Sequence, residues 1–121
     1  MQPEDRDAAY LWDILDYAQT IFKFTSGLNY NSYLKDRKLQ LAVERCIEII
    51  GEAAKNVSEK FKKEHPGIPW HLIIAQRNVI VHEYGEIKQD RIWALTEKKI
   101  PELIELIKPL LPSLPPEIEQ G

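Results

Sequence analysis

Residues 36–61 read DRKLQLAVERCIEIIGEAAKNVSEKF, and the spacing of their apolar positions decides the fold class. Leu39, Ala42, Cys46, Ile49 and Ala53 recur at intervals of three and four, and so do Val43, Ile47, Ile50, Ala54, Val57 and Phe61. A helix turns the side chain by roughly 100° per residue, so the two series form adjacent stripes of one apolar face. A face that wide can contact several other helices. It predicts that the longest helix of the chain runs from about Asp36 to Phe61, at the centre of an all-α bundle. Gly51 in its middle costs about 1 kcal/mol of helix propensity relative to alanine. Close approach of another helix, or of another subunit, is the expected compensation.

The rest of the chain supplies partners for this centre. Tyr10, Leu11, Ile14, Leu15, Ala18, Ile21 and Phe22 predict a first helix over residues 4–24, with Gly27 as its stop. The aromatic side chains there, Trp12, Tyr17 and Phe24 included, suit core and interface packing better than a base-stacking platform. The cluster Asn29, Tyr30, Asn31, Ser32 reads as a turn and helix cap. Pro66 and Gly67 end the central helix, and Pro69 suits the first turn of a helix running from Trp70 to about Glu83. A last helix is expected from Asp90 to about Leu111, with a break near Lys99 imposed by Pro101. The domain thus spans residues 1–111, followed by an acidic, Pro-rich tail, 112–121, expected to be extended or disordered. Short connections require a mainly antiparallel arrangement of four to five helices.

Composition narrows the function classes. A chain of 121 residues with net charge −3 does not bind nucleic acid by bulk electrostatics. Its single cysteine excludes an intrachain disulfide and a cysteine-rich metal site, and Cys46 lies within the apolar pattern as a small buried hydrophobe. No apolar run approaches a membrane span and the N-terminus is polar, so a cytoplasmic location is expected. The charge is nevertheless uneven. From Glu64 no acidic residue occurs until Glu83, while His65, His71, Arg77 and His82 fall in the gap.

Inside that gap the polar chemistry is densest. On a helix, Arg77 and Tyr84 share one face, and Asn78 and His82 share a neighbouring one. Near the helix C-terminus the dipole favours the imidazolium form of His82. On the central helix Glu44, Glu48 and Glu52 form a row at intervals of four. They read either as a solvated face pairing with Arg45 and Lys55, or as carboxylates that position the Arg77 guanidinium or act beside it. Paired carboxylates could also bind a divalent metal, but no third ligand stands at helical spacing, so a metal site is not expected.

Arg77, Asn78, His82, Glu83 and Tyr84 match the Arg-x4-His-x-Tyr motif of the HEPN superfamily, and more narrowly the chain resembles HepT-like toxins. Ala42 to Arg45 running on to Ile50 to Ala53, then Ile68-Pro69-Trp70 and Ile92-Trp93, fit the same pattern, so the resemblance covers roughly residues 8–107. It implies a HEPN-type bundle that dimerises through the motif helix and acts as a metal-independent ribonuclease without a cofactor. It also implies a minimal nucleotidyltransferase of the MntA type as antitoxin, which silences the toxin by transferring AMP to the motif tyrosine, here Tyr84. Catalysis would rest on Arg77 and His82, with Asn78 and Tyr84 as substrate contacts. HEPN domains without nuclease activity, which hold a nucleotide or a protein in the same cleft, make up the competing class. A helical subunit with no ligand is the third reading.

Overall fold

Three helices of the protein begin where a short polar side chain takes up a free backbone N–H. Asn29 Oδ1 accepts from Ser32 N at 2.9 Å, Asp36 Oδ1 from Leu39 N at 3.0 Å, and Ser58 Oγ from Phe61 N at 3.1 Å. The computed structural model describes residues 5–82 and 89–111, with side chains described at 6–76 and 89–111. Helix α1 spans Asp5–Thr25, α2 Tyr30–Leu34, α3 Arg37–Asn56, α4 Glu59–Glu64, α5 Trp70–His82, α6 Gln89–Ala94 and α7 Ile100–Ile107. A π-turn, Leu95–Lys99, joins α6 to α7, and a 3-10 turn, Lys108–Leu110, follows. The tail 112–121 lies outside the described residues, among which there is no strand. None of the described helices is long and apolar enough to cross a membrane.

The all-α bundle is the one the apolar spacing predicts, with α3 packed against both α1 and α5, and α1 against α7. Leu11, Ile14, Ala18 and Ile21 of α1 meet Val43, Ile47, Ile50 and Ala54 of α3 in one core, closed by Ile100, Leu103 and Ile107. Each fully buried Leu or Ile contributes about 1.5–3 kcal/mol relative to exposure. Gly51 is buried in the middle of α3. Gly27, at φ +79°, adopts the left-handed geometry that ends α1, as its position predicts. Cys46 is buried, and burial, with a smaller contribution from the Asp16 carboxylate, pushes its thiol upward, away from the reactive thiolate.

Three expectations need correction. The predicted helix 36–61 is two helices, because Val57 turns to extended geometry and Ser58 starts α4. The break is held from α1, where buried Asp7 accepts hydrogen bonds from Ser58 N at 2.9 Å and Ser58 Oγ at 2.7 Å. Consequently α1, with 21 residues, is longer than α3, with 20. Phe22 is 50% exposed and Phe24 47%, since Ala18, Ile21 and Thr25 take the core line at the end of α1. The expected break before Pro101 takes the form of the π-turn, in which Ile100 N–H bonds back to the Leu95 carbonyl. Proline lacks the donor that Glu97 would need, and one widened turn absorbs the mismatch while the backbone stays helical on both sides.

Helix α2 is short but tightly tied. Tyr33 is fully buried with its ring 5.1 Å from that of Trp93 on α6, and Gln40 of α3 donates to the Tyr33 and Leu34 carbonyls, both at 3.0 Å. Burial, and then the nearby Glu44 carboxylate, push the Tyr33 phenol well above its ordinary value of 10.0. A folded-state value raised above the unfolded one contributes stability fully present below the unfolded value and lost as pH rises past it. Thermal stability is therefore expected to fall once the pH passes 10.0, and Tyr33→Phe should flatten that fall. Melting curves across the alkaline range check it. An unchanged slope in the variant would refute this account of Tyr33.

Candidate active site

Helix α5 is anchored at its start and carries the motif at its end. Ile68 and Trp70 are buried, Trp70 Nε1 donates to the His65 carbonyl at 3.1 Å, and its ring meets Phe61 edge-on at 6.3 Å. His65 stacks on Phe61 at 4.2 Å, which gives this histidine a structural place, whereas His71 is exposed. From Trp70 the helix runs without interruption through His82. Arg77, Asn78 and His82 thus share one rigid element. Around its axis Asn78 and His82 stand about 40° apart, and Arg77 and His82 about 140° apart with a rise of roughly 7.5 Å between them. The side chains of these three are not among those described, and Tyr84 lies outside the described residues.

The three carboxylates of α3 do not act as one row. Glu44 is buried; its Oε2 accepts from Gln89 Nε2 at 2.7 Å and lies 3.8 Å from Arg37 Nη1. Glu48 pairs with exposed Arg45 at 2.6 Å, the intrahelical ion pair expected of a solvated face. Such a pair contributes a few tenths of a kcal/mol. Glu52 is exposed and lines a polar pocket of about 410 Å³ between α1 and α3, together with Asp13, Glu48 and Arg45. The expected pairing of one carboxylate with Arg77 involves a side chain that is not described. Among the described residues no group of three or more His, Cys, Asp or Glu side chains could hold a metal ion.

A second cavity, an apolar groove of about 350 Å³, runs beside α5 between α3 and α7. Ile47, Ile50, Leu72, Ile73, Leu103 and Leu106 line it, and Leu72 is 59% exposed. Gln76, immediately before Arg77, closes one part of its rim. The groove therefore reaches the beginning of the motif.

Sequence reasoning missed the hydrogen bonds that tie α6 to α2 and α3. Tyr33 Oη donates to Gln89 Oε1, so Gln89, the first residue of α6, bridges Tyr33 and Glu44. A glutamine placed directly after the motif segment and opening the next helix was the available signal. Nothing local, however, links it to positions 33 and 44.

The comparisons with known proteins give the family. The family model described as "Ribonuclease HepT-like" matches residues 14–110, which include the whole of α5. A Methanocaldococcus jannaschii protein named "Putative RNase MJ0127" is 35% identical over 119 residues, covering 98% of this chain and 98% of its own. A Thermococcus cleftensis protein named "Probable ribonuclease HepT" is 38% identical over 94 residues, covering 78% of this chain and 86% of its own. A third, "Putative RNase TTE0752" of Caldanaerobacter subterraneus subsp. tengcongensis, is 35% identical over 102 residues, covering 84% of this chain and 91% of its own. No solved structure matches. With a family model matched over residues 14–110 and relatives of 35% to 38% identity over most of both chains, the chain belongs to the HepT-like ribonuclease family.

Proposed function

We propose that the protein is the toxin of a toxin–antitoxin module: a homodimeric, metal-independent endoribonuclease silenced when a minimal nucleotidyltransferase transfers AMP to Tyr84. The observation that carries this reading is the unbroken course of α5 through His82 in a chain of the HepT-like family. Helical geometry sets positions 77 and 82 about 140° apart around the axis, so one chain offers one motif imidazole and places the arginine position on another side of the helix. Cleavage by the neighbouring 2′-hydroxyl needs a base for the attacking oxygen, an acid for the leaving 5′-oxygen, and positive charge against the developing phosphorane. A two-fold axis beside α5 supplies two copies of His82 and of Arg77 to one cleft. The exposed apolar groove next to the motif favours such an interface, because a patch of that kind beside a site is a place where a partner gains by covering it.

In the dimer one His82 takes the 2′-proton as the 2′-oxygen attacks phosphorus, and the other, protonated, gives its proton to the departing 5′-oxygen. The products are a 2′,3′-cyclic phosphate and a 5′-hydroxyl. Arg77 binds the phosphate, and Asn78, one turn before His82, orients the imidazole or the phosphate. RNA incubated with the purified protein is expected to give these ends, at the same rate with and without EDTA. Products bearing a 3′-hydroxyl and 5′-phosphate, or loss of cleavage in EDTA, would overturn the mechanism. A chain that binds RNA or nucleotide and cleaves nothing would be a binding module instead.

A further inference from the structure

Between Asp16 and Glu44 the chain carries four cations, Lys23, Lys35, Arg37 and Lys38, against one acid, Asp36, although the whole protein is at −3. All four cations are exposed, and the Asp36 carboxylate is taken up capping Leu39 N at 3.0 Å. The fold gathers them at one end of the bundle. Asp7, at the start of α1, is bonded to Ser58 just beyond α3, so the last turn of α1 lies where α3 begins. Phe22 and Phe24 flank Lys23 there, both about half exposed. Arg37 is held in place: its Nη1 donates to Gln40 Oε1 at 3.3 Å and lies 3.8 Å from Glu44 Oε2, while the side chain stays 67% exposed. The last turn of α5 reaches the same end. This helix starts beside α4, where Trp70 meets Phe61, and runs back along α3. Leu72 and Ile50 line one groove. Ten residues beyond Leu72 stands His82, and ten before Ile50 stands Gln40, so about 15 Å of helix on each side brings the end of α5 level with the first turn of α3.

We propose that Lys35, Arg37 and Lys38, with Lys23 of α1, bind the backbone of an unpaired stretch of the RNA substrate, and that Phe22 and Phe24 stack its bases. This rests on the reading of the end of α5 as the cleavage site. An acidic protein gains affinity for a polyanion only where its cations are gathered, and this is such a place. A guanidinium already oriented by Gln40 and Glu44 loses little freedom on meeting a phosphate, and its planar fork suits one. A base can lie on an aromatic face only when it is out of a duplex, so exposed rings beside the cations select a single strand. The neighbouring face of the bundle excludes the alternative course. Its pocket between α1 and α3 carries Asp13, Glu48 and Glu52 against Arg45, and repels a phosphate chain. The strand therefore leaves the cleavage site over the start of α3.

The test measures binding of the full chain to a 2′-O-methylated RNA strand of about 12 nucleotides, which lacks the attacking hydroxyl and stays intact. Lys35→Gln with Lys38→Gln should lower the slope of log affinity against log salt by about 1.4, or about 0.7 for each lost phosphate contact. Lys60→Gln with Lys63→Gln, on α4 at the opposite end, removes the same charge and should leave the slope unchanged. All four lysines are exposed, so both variants should fold. With cleavable RNA, the first pair should raise KM and keep kcat. Phe22→Ala with Phe24→Ala should weaken the single strand at least about tenfold and leave binding of the matching duplex as it was. A slope that falls equally in both lysine pairs reduces the effect to net charge, and an unchanged slope leaves the surface to an acidic protein partner; either overturns the proposal. Equal losses on strand and duplex in the phenylalanine pair overturn the stacking. The two readings fail separately. A wild type that cleaves nothing, yet binds the probe with the expected slopes, would sink the ribonuclease reading and leave the surface standing. Unchanged slopes in a protein that cleaves RNA would do the reverse.

Discussion

His82→Ala should lower RNA cleavage about a thousandfold, and it should do so dominantly when mixed with wild-type subunits. Under the proposed mechanism each His82 provides an acid or a base in a shared cleft, so a dimer with one alanine lacks one of the two proton transfers. After subunit exchange, a mixture in which half the chains are wild type contains about one quarter intact dimers under random pairing. Activity should then follow the square of the wild-type fraction. A complete site within each chain predicts a straight line instead, and the two curves differ most near equal mixing. The fold makes the experiment clean. His82 is at the end of α5, about three turns beyond the Trp70 anchor, so the variant should keep its melting temperature within a few degrees. Arg77→Ala should lose comparable activity through transition-state charge, with weaker RNA binding as a further sign. Full cleavage by His82→Ala would end the acid–base assignment, and a linear mixing curve would end the composite site even if the assignment stood.

The fold was legible because burial follows helical spacing wherever one helix continues. Val43, Cys46, Ile47, Ile50, Ala53 and Ala54 of α3 and Leu11, Ile14, Leu15, Ala18 and Ile21 of α1 end in the core where the spacing of three and four puts them, whereas Ala42 and Ile49 stay half-buried. The reading failed at Val57 because Ala54, Val57 and Phe61 keep that spacing across a break. Apolar residues needed on both sides of a turn cannot report the turn itself. Ser58 could have, as a cap residue, but its decisive partner, Asp7, is 51 positions away. Phe22 misled for a related reason, since a helix end leaves the bundle and its apolar residues lose their cover.

The candidate site divides in the same way. Arg77, Asn78, His82 and Tyr84 are visible at once because they fall within one short stretch of sequence. Glu44, Glu48 and Glu52 looked equivalent on spacing alone. Their fates differ through partners that spacing does not contain: Gln89 for Glu44, Arg45 for Glu48, and the α1 groove beside Glu52. Tertiary hydrogen bonds among residues 33, 44 and 89 leave no periodic trace, although they tie α6 to both α2 and α3.

Modification of Tyr84 should silence the protein as completely as loss of His82 does. In AMP transfer the phenol oxygen attacks the α-phosphorus of ATP, the phenol gives up its proton, and pyrophosphate leaves. The product adds a nucleotide and a negative charge two residues from His82. RNA must bring its own phosphate to the same place, so the adduct opposes binding by like-charge repulsion and by bulk. Wild-type protein expressed alone should arrest growth. Co-expressed with a minimal nucleotidyltransferase of the proposed kind, it should gain the mass of one or more AMP units on Tyr84 and lose both toxicity and RNA cleavage. Tyr84→Phe separates the two roles of the side chain. It removes the oxygen that accepts AMP while keeping the ring, so it should escape the antitoxin while retaining cleavage within about tenfold of wild type. Mass measurement of the co-expressed proteins reads the first role, and growth on induction reads the second. An unmodified Tyr84 in a neutralised complex would overturn the covalent mechanism and leave protein–protein masking as the means of control. An adduct with undiminished cleavage would show that Tyr84 stands away from the RNA path.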